Sequence, residues 1–265
     1  MCRLLKTLPL TLSIAALIVF ATFAASCGSS NSQARFVNAI ADDTQGLDIE
    51  FNGTKAFTDI GPHTPSGSTY VSVPTGSDKI QGFATGTTTP TLFNLTSPIS
   101  FNSGSQYTVV ATGTLASSVV ILAPVDTNTA PANGNVAFRV INASLNEIQP
   151  VDVYIFPDSA PNTSCLPGDN GCTTPTFSAL PSPSQSINTT SAYVTVPYNS
   201  NGDGYTLYVT LAGQLIPLFN GGYPFAVGSL TVGSIRTIVL VDTACTDPCN
   251  GGAMSSLPIV LSDLN

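Results

Sequence analysis

Short runs in which apolar and polar residues alternate dominate the chain after residue 33. The runs are rich in Val, Ile, Tyr and Phe, and Gly, Pro, Asn or Asp separate them, as is typical of β-strands and their turns. The clearest runs of the first half are RFVNA at 35–39, LDIEF at 47–51, TYVSV at 69–73 and QYTVVA at 106–111. No amphipathic helical pattern of ten or more residues stands out in this region. The pattern predicts an all-β fold of antiparallel strands packed as immunoglobulin-like β-sandwiches.

The strand pattern occurs twice along the chain. Residues 35–51 (RFVNAIADDTQGLDIEF) align without a gap with residues 139–155 (RVINASLNEIQPVDVYI), an offset of 104 residues. A later strand, YVSVP at 70–74, matches YVTVP at 193–197 with an offset of 123 residues. The offset grows because the second copy carries a Pro- and Ser-rich insert over 157–191, which is predicted as a long loop. Two similar β-sandwich domains in tandem follow from this repetition.

Changes in composition along the chain predict the domain boundaries. Residues 1–26 are predicted as a signal peptide, and residues 27–33 as a lipidated cysteine with a flexible tether. The first repeat is placed at 34–123 and the second at 136–265, because the segment PVDTNTAPANGN at 124–135 has the composition of a linker. The hydrophobic share of 43% is large enough to supply packed cores.

The N-terminus predicts export followed by anchoring to a membrane. Arg3 and Lys6 precede an apolar run over 8–23, the pattern of a helical export signal that is cleaved before Cys27. The segment Ala-Ala-Ser-Cys resembles the lipobox of bacterial lipoproteins, in which the cysteine becomes the lipidated first residue. The lipobox usually has Leu where this chain has Ala24, so ordinary cleavage that leaves Cys27 as a free thiol is the alternative. The resemblance implies a membrane-anchored lipoprotein of the cell envelope that faces the periplasm or the cell surface.

The charge balance excludes one class of partner. Only 8% of the residues are charged, and removal of residues 1–26 leaves five basic and fifteen acidic side chains, a net charge near −10. Because nucleic-acid binding depends on basic side chains at the phosphates, nucleic acid is excluded as a partner.

The repeated residues resemble a known bacterial family. RVINA at 139–143, VDVYI at 151–155 and the strand Tyr-Val-x-Val-Pro are similar to domain of unknown function 4397, whose repeats run Arg-Val-Val-His-Ala, Val-Asp-Val-Tyr and a strand ending in Pro-Ala-Gly. The resemblance covers most of residues 34–263. It implies an exported, often membrane-anchored β-sandwich without an established activity. Asn38 and Asn142 stand where the family often has His, so a role of that imidazole is not expected here.

Two arginines and two aspartates are the most conspicuous charged residues of the repeats. Arg35 precedes Asp48, and Arg139 precedes Asp152, by the same number of residues. We expect each pair to form a structural ion pair between neighbouring strands. Ligand binding by these charges is the alternative.

Four cysteines remain in the exported chain besides Cys27. An even number in an oxidising compartment favours two disulfides, and the short separations favour Cys165 with Cys172 and Cys245 with Cys249, although four cysteines permit three pairings. Zinc held by four thiolates is the rival, but the spacings are unlike those of zinc knuckles. No metal or other cofactor is predicted.

The sequence contains only weak matches to the residue patterns of catalytic or calcium sites. His63 lies in a turn-rich loop, is expected to be solvated, and has no nucleophile elbow to accompany it. Asp42, Asp43, Asp48 and Glu50 lie in a turn and on a strand face that is expected to be exposed, which is unlike the paired carboxylates of glycosidases. The segment NSNGDG at 199–204 imitates half of a calcium loop, and a hairpin turn explains it better.

The sequence therefore favours a non-enzymatic envelope lipoprotein with a structural, adhesive or binding role. A carbohydrate-binding or carbohydrate-acting protein is the alternative, in which exposed aromatic rows (Tyr205 with Tyr208, or Tyr223 with Phe225) stack on sugars. Envelope glycans or proteins are the expected partners, besides the membrane bound through Cys27. An enzyme would need a cleft with convergent polar groups, expected at the junction between the domains.

Overall fold

The computed structural model describes residues 31–145, 150–158, 180–198, 200, 204–214, 225–242 and 256–264, and the regular structure in these residues is entirely β-strand. The all-β prediction is confirmed. In the described residues, no helix has the length and apolar character needed to span a membrane. The predicted signal helix, Cys27, the cysteines at 165, 172, 245 and 249, and most of the calcium-like loop lie outside the described residues.

The first half of the chain forms two main sheets. Its strands are β1 (Ser32–Ile40), β2 (Leu47–Phe51), β3 (Thr54–Ile60), β4 (Val71–Val73), β5 (Gly76–Asp78), β6 (Ile80–Ala84), β7 (Thr91–Asn94), β8 (Ile99–Phe101), β9 (Gln106–Gly113), β10 (Val119–Leu122) and β11 (Val125–Asp126). One sheet has the order β10-β9-β1-β4, with β11 paired to β9, and the other has the order β3-β2-β6-β7. Strands β5 and β8 form a separate two-stranded sheet.

The second half also forms two sheets. Its described strands are β12 (Asn135–Asn142), β13 (Val151–Pro157), β14 (Leu180–Gln185), β15 (Thr189–Thr190), β16 (Val194–Pro197), β17 (Tyr205–Leu211), β18 (Phe225–Gly228), β19 (Ile235–Asp242) and β20 (Ser256–Leu264). One sheet has the order β15-β12-β19-β20, with β16 paired to β12, and the other has the order β14-β13-β17-β18.

The central strand pair is the same in both halves. Strand β1 pairs with β9 and β12 pairs with β19, and Arg35 lies opposite Thr108 as Arg139 lies opposite Thr237. Both pairs are parallel, whereas the sequence indicated only antiparallel pairing. Parallel pairing suits strands that are buried on both faces, and the apolar runs around the two arginines have that character.

Alternating residues of the central strands enter two different cores. Even-numbered residues of β1, such as Phe36, face the first-half core against β2, β3, β6 and β7. Odd-numbered residues, such as Val37, face a third core that the two halves share. This junction core contains Val37, Ala39, Val110, Ile141, Ala143, Val239, Val241 and Leu261. The second half has its own core on the other face of β12 and β19. The molecule is therefore built of four main sheets with cores between successive layers.

Some strands lie in segments for which the sequence indicated none. Strand β11 falls in the segment interpreted as linker and pairs with β9 of the first half. Strands β14 and β15 fall in the insert at 157–191 interpreted as loop, and they pair with β13 and β12. Strand β1 begins at Ser32, inside the segment interpreted as a flexible tether.

Candidate functional site

Two buried arginines meet at the junction between the halves. Arg35 on β1 and Arg139 on β12 both lie on the strand faces that line the junction core, and their side chains are 0% and 1% exposed. A charge removed from water needs an opposite charge and hydrogen-bond acceptors, because the cost of desolvation is several kcal/mol per ion in a protein interior. The closest carboxylate to each arginine lies on the last strand of the opposite half, β20 for Arg35 and β11 for Arg139.

The ion pairs between the halves are reciprocal. Arg35 of the first half pairs through Nη2 with Asp263 on β20, and Arg139 of the second half pairs through Nη2 with Asp126 on β11. The Nη1 atoms also cross the junction, donating to the carbonyl of Ser262 at 2.7 Å and to that of Val125 at 2.9 Å. Each half thus supplies one arginine and one carboxylate to the other half.

Threonine and tyrosine side chains complete the arrangement. Nε of Arg35 donates to Thr108 at 3.0 Å, and Nε of Arg139 donates to Thr237 at 2.8 Å. The side chains that make up this junction cluster are Arg35, Tyr70, Thr108, Asp126, Arg139, Tyr193, Thr237 and Asp263.

Each tyrosine contacts one arginine and one carboxylate. Tyr70 donates to Asp126 at 2.6 Å, and the guanidinium of Arg35 lies 5.0 Å from the centroid of its ring. Tyr193 donates to Asp263 at 2.6 Å, and the guanidinium of Arg139 lies 4.7 Å from its ring. Cation–π contact adds to the attraction at both positions.

Burial and the neighbouring carboxylates fix the protonation of the two phenols. Burial, followed by the charge of Asp126, raises the pKa of Tyr70 far above its ordinary value. Burial likewise raises the pKa of Tyr193; the charge of Arg139 opposes this rise, and Asp263 adds to it. Both phenols therefore remain hydrogen-bond donors at physiological pH.

The ion pairs expected from the sequence are wrong. Strand β1 and strand β2 belong to different sheets, so Arg35 and Asp48 lie on opposite outer faces of the first sandwich. Arg139 and Asp152 are separated in the same way by the second sandwich, because β12 and β13 also belong to different sheets.

Asp48 and Asp152 bind other groups. The carboxylate of Asp48 is buried rather than exposed, and it pairs with Lys55 at 2.7 Å. It also accepts hydrogen bonds from the backbone amides of Asp59 and Gly86. Asp152 accepts a hydrogen bond from the backbone amide of Gly213 at 2.8 Å.

Asn38 and Asn142, which occupy equivalent positions in the two copies, have a local structural role. Asn38 Oδ1 accepts from the amide of Ile40 at 3.3 Å, and Asn142 Oδ1 accepts from the amide of Ser144 at 3.2 Å. Both bonds span two residues and form the same turn at the ends of β1 and β12.

His63 is not the solvated loop residue that the sequence indicated. It is half-buried, adopts a positive φ of 55°, and its Nδ1 contacts the carbonyl of Asp242 in the second half. This contact adds a further link between the halves.

Turn carboxylates of the first half are bound to backbone amides. Asp42 accepts from the amides of Leu115 and Ala116 at 2.6 and 3.0 Å. Asp43 accepts from the side chain of Asn38 and from the amide of Gln45. These side chains hold loops in place, which is a structural use of the carboxylates considered for glycoside hydrolysis.

The aromatic rows do not form a sugar-stacking platform in the described residues. Tyr205 is 1% exposed and packs edge-on against Phe138 in the second core. Tyr208 is half-buried and stacks on Phe156, and half-buried Phe225 packs against the same core as Tyr205. Residue 223 lies outside the described part of the chain.

An open pocket with both polar and apolar walls lies at the edge of the junction cluster. It has a volume of about 410 Å³, and residues of both halves line it: Ser68, Tyr70, Gln106, Asn128, Ser262, Asp263 and Leu264. Asp263 and Tyr70 belong to the cluster as well. Within the described residues, no group of three or more potential metal ligands occurs.

Sequence reasoning identified the arginines but missed their partners. A signal existed, since Thr108 and Thr237 occupy matching strands, and Asp126 and Asp263 each follow the last apolar run of a half. The two aspartates lie 137 residues apart, while the arginines lie 104 apart, so a constant offset does not find them.

The comparisons with known proteins agree with the resemblance noted in the sequence. Residues 32–154 match the family model described as a domain of unknown function, DUF4397. A search of curated proteins found no match. The matched segment extends from β1 into β13 and includes Arg35, Asp126 and Arg139 of the junction cluster. This chain therefore carries a DUF4397-like domain over residues 32–154.

Proposed function

We propose that the chain is a bacterial cell-envelope lipoprotein that is held at the membrane through Cys27 and acts as a non-catalytic structural, adhesive or binding module. The observation that supports a non-catalytic role best is the reciprocal charge pairing in the junction cluster. A catalytic acid, base or nucleophile has to face its substrate. Here four buried charged side chains of the described residues are directed at one another, and they join the halves.

The position of the first strand supports a short anchor. Strand β1 begins at Ser32, five residues after Cys27. A fully extended chain spans at most about 3.6 Å per residue, so the sandwich would stay within roughly 18 Å of a lipidated Cys27. Burial of the acyl chains, at about 0.8 kcal/mol per methylene, would hold it there.

Mass spectrometry of the mature N-terminus tests the anchor. We expect a mature chain that begins with a diacylglyceryl-modified Cys27 and sediments with membranes, and a Cys27→Ser variant that is not lipidated. An unmodified Cys27 in a mature chain of the soluble fraction would refute the anchoring proposal.

Incubation of the purified chain with envelope glycans and matrix proteins tests the non-catalytic role. We expect binding without any change in the polymer. Turnover of a polymer without stable binding would show that the protein is an enzyme.

A carbohydrate-binding role is the second candidate, and the junction pocket is the observation that favours it. Its lining of hydroxyl and amide groups beside an aromatic ring is suited to recognition of a small polar ligand. The buried aromatic row on β17 gives this candidate no support.

A further inference from the structure

We propose that the junction pocket, lined by Ser68, Tyr70, Gln106, Asn128, Ser262, Asp263 and Leu264, binds one or two units of a neutral saccharide at the membrane-facing end of the molecule. The ligand class follows from the lining residues alone. The orientation toward the membrane rests on the anchor at Cys27 given under the proposed function.

The polar groups of the lining are mostly uncharged donors and acceptors. Ser68 and Asn128 are exposed, and Gln106 is half-buried with its Nε2 donating to Oε1 of Gln33 at 2.8 Å. This bond orients the amide of Gln106 at the rim. Hydroxyl and amide groups that can both donate and accept are complementary to the hydroxyls of a sugar.

The charge of the pocket argues against an ionic ligand. Asp263 is the single carboxylate among the described residues that line the pocket, and it is paired with Arg35. Its second oxygen accepts from Tyr193 and from Thr237, both at 2.6 Å. A bound cation would have to compete with the guanidinium of Arg35 for this carboxylate. No lysine or arginine is among the described lining residues, and the neighbouring Arg236 already donates to Ser262 Oγ and to the carbonyl of Leu264, both at 2.9 Å.

The apolar walls and the volume fit a pyranose ring. Tyr70 and Leu264 contribute an aromatic ring and an aliphatic side chain beside the polar rim. Sugars present C–H faces as well as hydroxyls, and such faces pack on aromatic rings. The volume of about 410 Å³ lies at the lower end of the range of roughly 300–1,000 Å³ that is usual for small-molecule sites.

The position of the pocket places its ligand near the anchor. Gln106 in the lining contacts Gln33, which lies six residues after Cys27 and so within roughly 22 Å of it along an extended chain. A neutral sugar this close to the lipid anchor can come from a glycolipid headgroup or from a free envelope glycan.

Saturation-transfer NMR on the full chain in a zwitterionic, sugar-free detergent tests the proposal. The probes are glucose, galactose and N-acetylglucosamine, with glucuronic acid and glucosamine as charged counterparts. We expect saturable binding of at least one neutral sugar, and weaker binding of the charged ones.

Three variants locate the binding. Asn128→Ala removes one hydrogen-bonding amide and is expected to weaken binding about fivefold, and Ser68→Trp fills the pocket and is expected to abolish it. Asn94→Ala changes an exposed asparagine on β7, in a sheet that does not form the pocket, and is expected to bind as the wild type does. Equal binding by all three variants, no saturable binding of any neutral sugar, or preference for a charged sugar would overturn the proposal.

The source of the sugar is assigned in vesicles. The chain is reconstituted in phosphatidylcholine vesicles with and without a neutral monoglycosyl diacylglycerol, and the affinity for the soluble sugar is measured. Weaker apparent affinity in the glycolipid vesicles supports the headgroup as ligand, and equal affinity supports a free glycan. Failure of sugar binding leaves the mass of the mature N-terminus unaffected, so the two proposals fail separately.

Discussion

The buried arginines are the residues whose replacement has the clearest consequence. Arg35→Met removes the charge that neutralises Asp263 and leaves a carboxylate in the junction without its cation. Breaking a buried pair in this way costs about 3–5 kcal/mol. We expect urea denaturation to show a loss of this size in the free energy of unfolding.

Lys55→Met is the matched control for this substitution. Lys55 also pairs with a buried carboxylate, but its own side chain is 34% exposed, so water screens the pair. We expect a loss of at most about 1 kcal/mol. A loss for Arg35→Met as small as the one expected for Lys55→Met would show that the junction cluster does not stabilise the fold.

Two aspartates of the first half have pKa shifts of opposite sign. Burial raises the pKa of Asp48, but hydrogen bonds from Lys55, Asp59 and Gly86 outweigh burial and hold the pKa below its ordinary value. Burial raises the pKa of Asp78, and the hydrogen bond from Asn52 only partly opposes it. One oxygen of Asp78 is buried without a hydrogen-bond partner.

The pH dependence of stability should therefore change in opposite directions in two variants. The depressed pKa of Asp48 contributes stability above the unfolded pKa, near about 3.9, and this stability is lost as pH falls through the folded pKa. The raised pKa of Asp78 has the reverse effect, because the folded state loses stability as pH rises from the unfolded pKa through the folded one. Above the pH range in which these two carboxyl groups titrate, Asp48→Asn should show its largest loss of stability relative to wild type. In the same range, Asp78→Asn should be more stable than wild type. Thermal melts from pH 3 to pH 7 measure both trends, and parallel curves for the two variants would contradict them.

The junction residues also show which contacts could be predicted from the sequence and which could not. Arg35 and Arg139 were found because a constant offset relates the two copies, and the alternation of β2 was correctly assigned because Leu47, Ile49 and Phe51 enter one core. The pairing with Asp48 failed because neighbours in sequence were taken as neighbours in a sheet. The true partners are contributed by strands from the opposite half. The matching positions of Asp126 and Asp263 in the two copies do not show that their contacts cross from one half to the other.

At the scale of elements, strands β6 and β7 can pack closely because residue 82 is a glycine, which has no side chain. Gly82 lies opposite Phe93, and a Cβ at residue 82 would overlap the phenyl ring. Phe93 itself belongs to the first-half core, so the ring has little freedom to move away. Gly82→Ala should cost about 1–3 kcal/mol through overpacking.

A double-mutant cycle tests the origin of this cost. In a Phe93→Leu background, the smaller side chain leaves room for the added methyl group. We expect Gly82→Ala to cost clearly less there, with a coupling energy of at least about 0.5 kcal/mol in chemical denaturation. An equal cost in both backgrounds would assign the effect to the backbone of β6 and not to the ring.

The whole molecule should unfold as one unit in spite of its two similar halves. The junction core and the reciprocal ion pairs make burial of Arg35 depend on Asp263, and burial of Arg139 depend on Asp126. Unfolding of either half would leave two charges of the other half without their partners and expose its side of the junction core. The penalty of several kcal/mol per unpaired ion is comparable to the stability of a typical domain, so a state with one half folded is poorly populated.

Hydrogen exchange in urea, followed by mass spectrometry, reports on the two halves separately. Peptides that contain β9 and peptides that contain β17 should lose protection at the same urea concentration. The substitution Arg35→Met, although confined to β1, should lower both midpoints together, because the destabilised junction belongs to both halves. Two separate midpoints in the wild type, or a shift of the first-half midpoint alone in the variant, would mean that the halves are independent domains joined only by a linker.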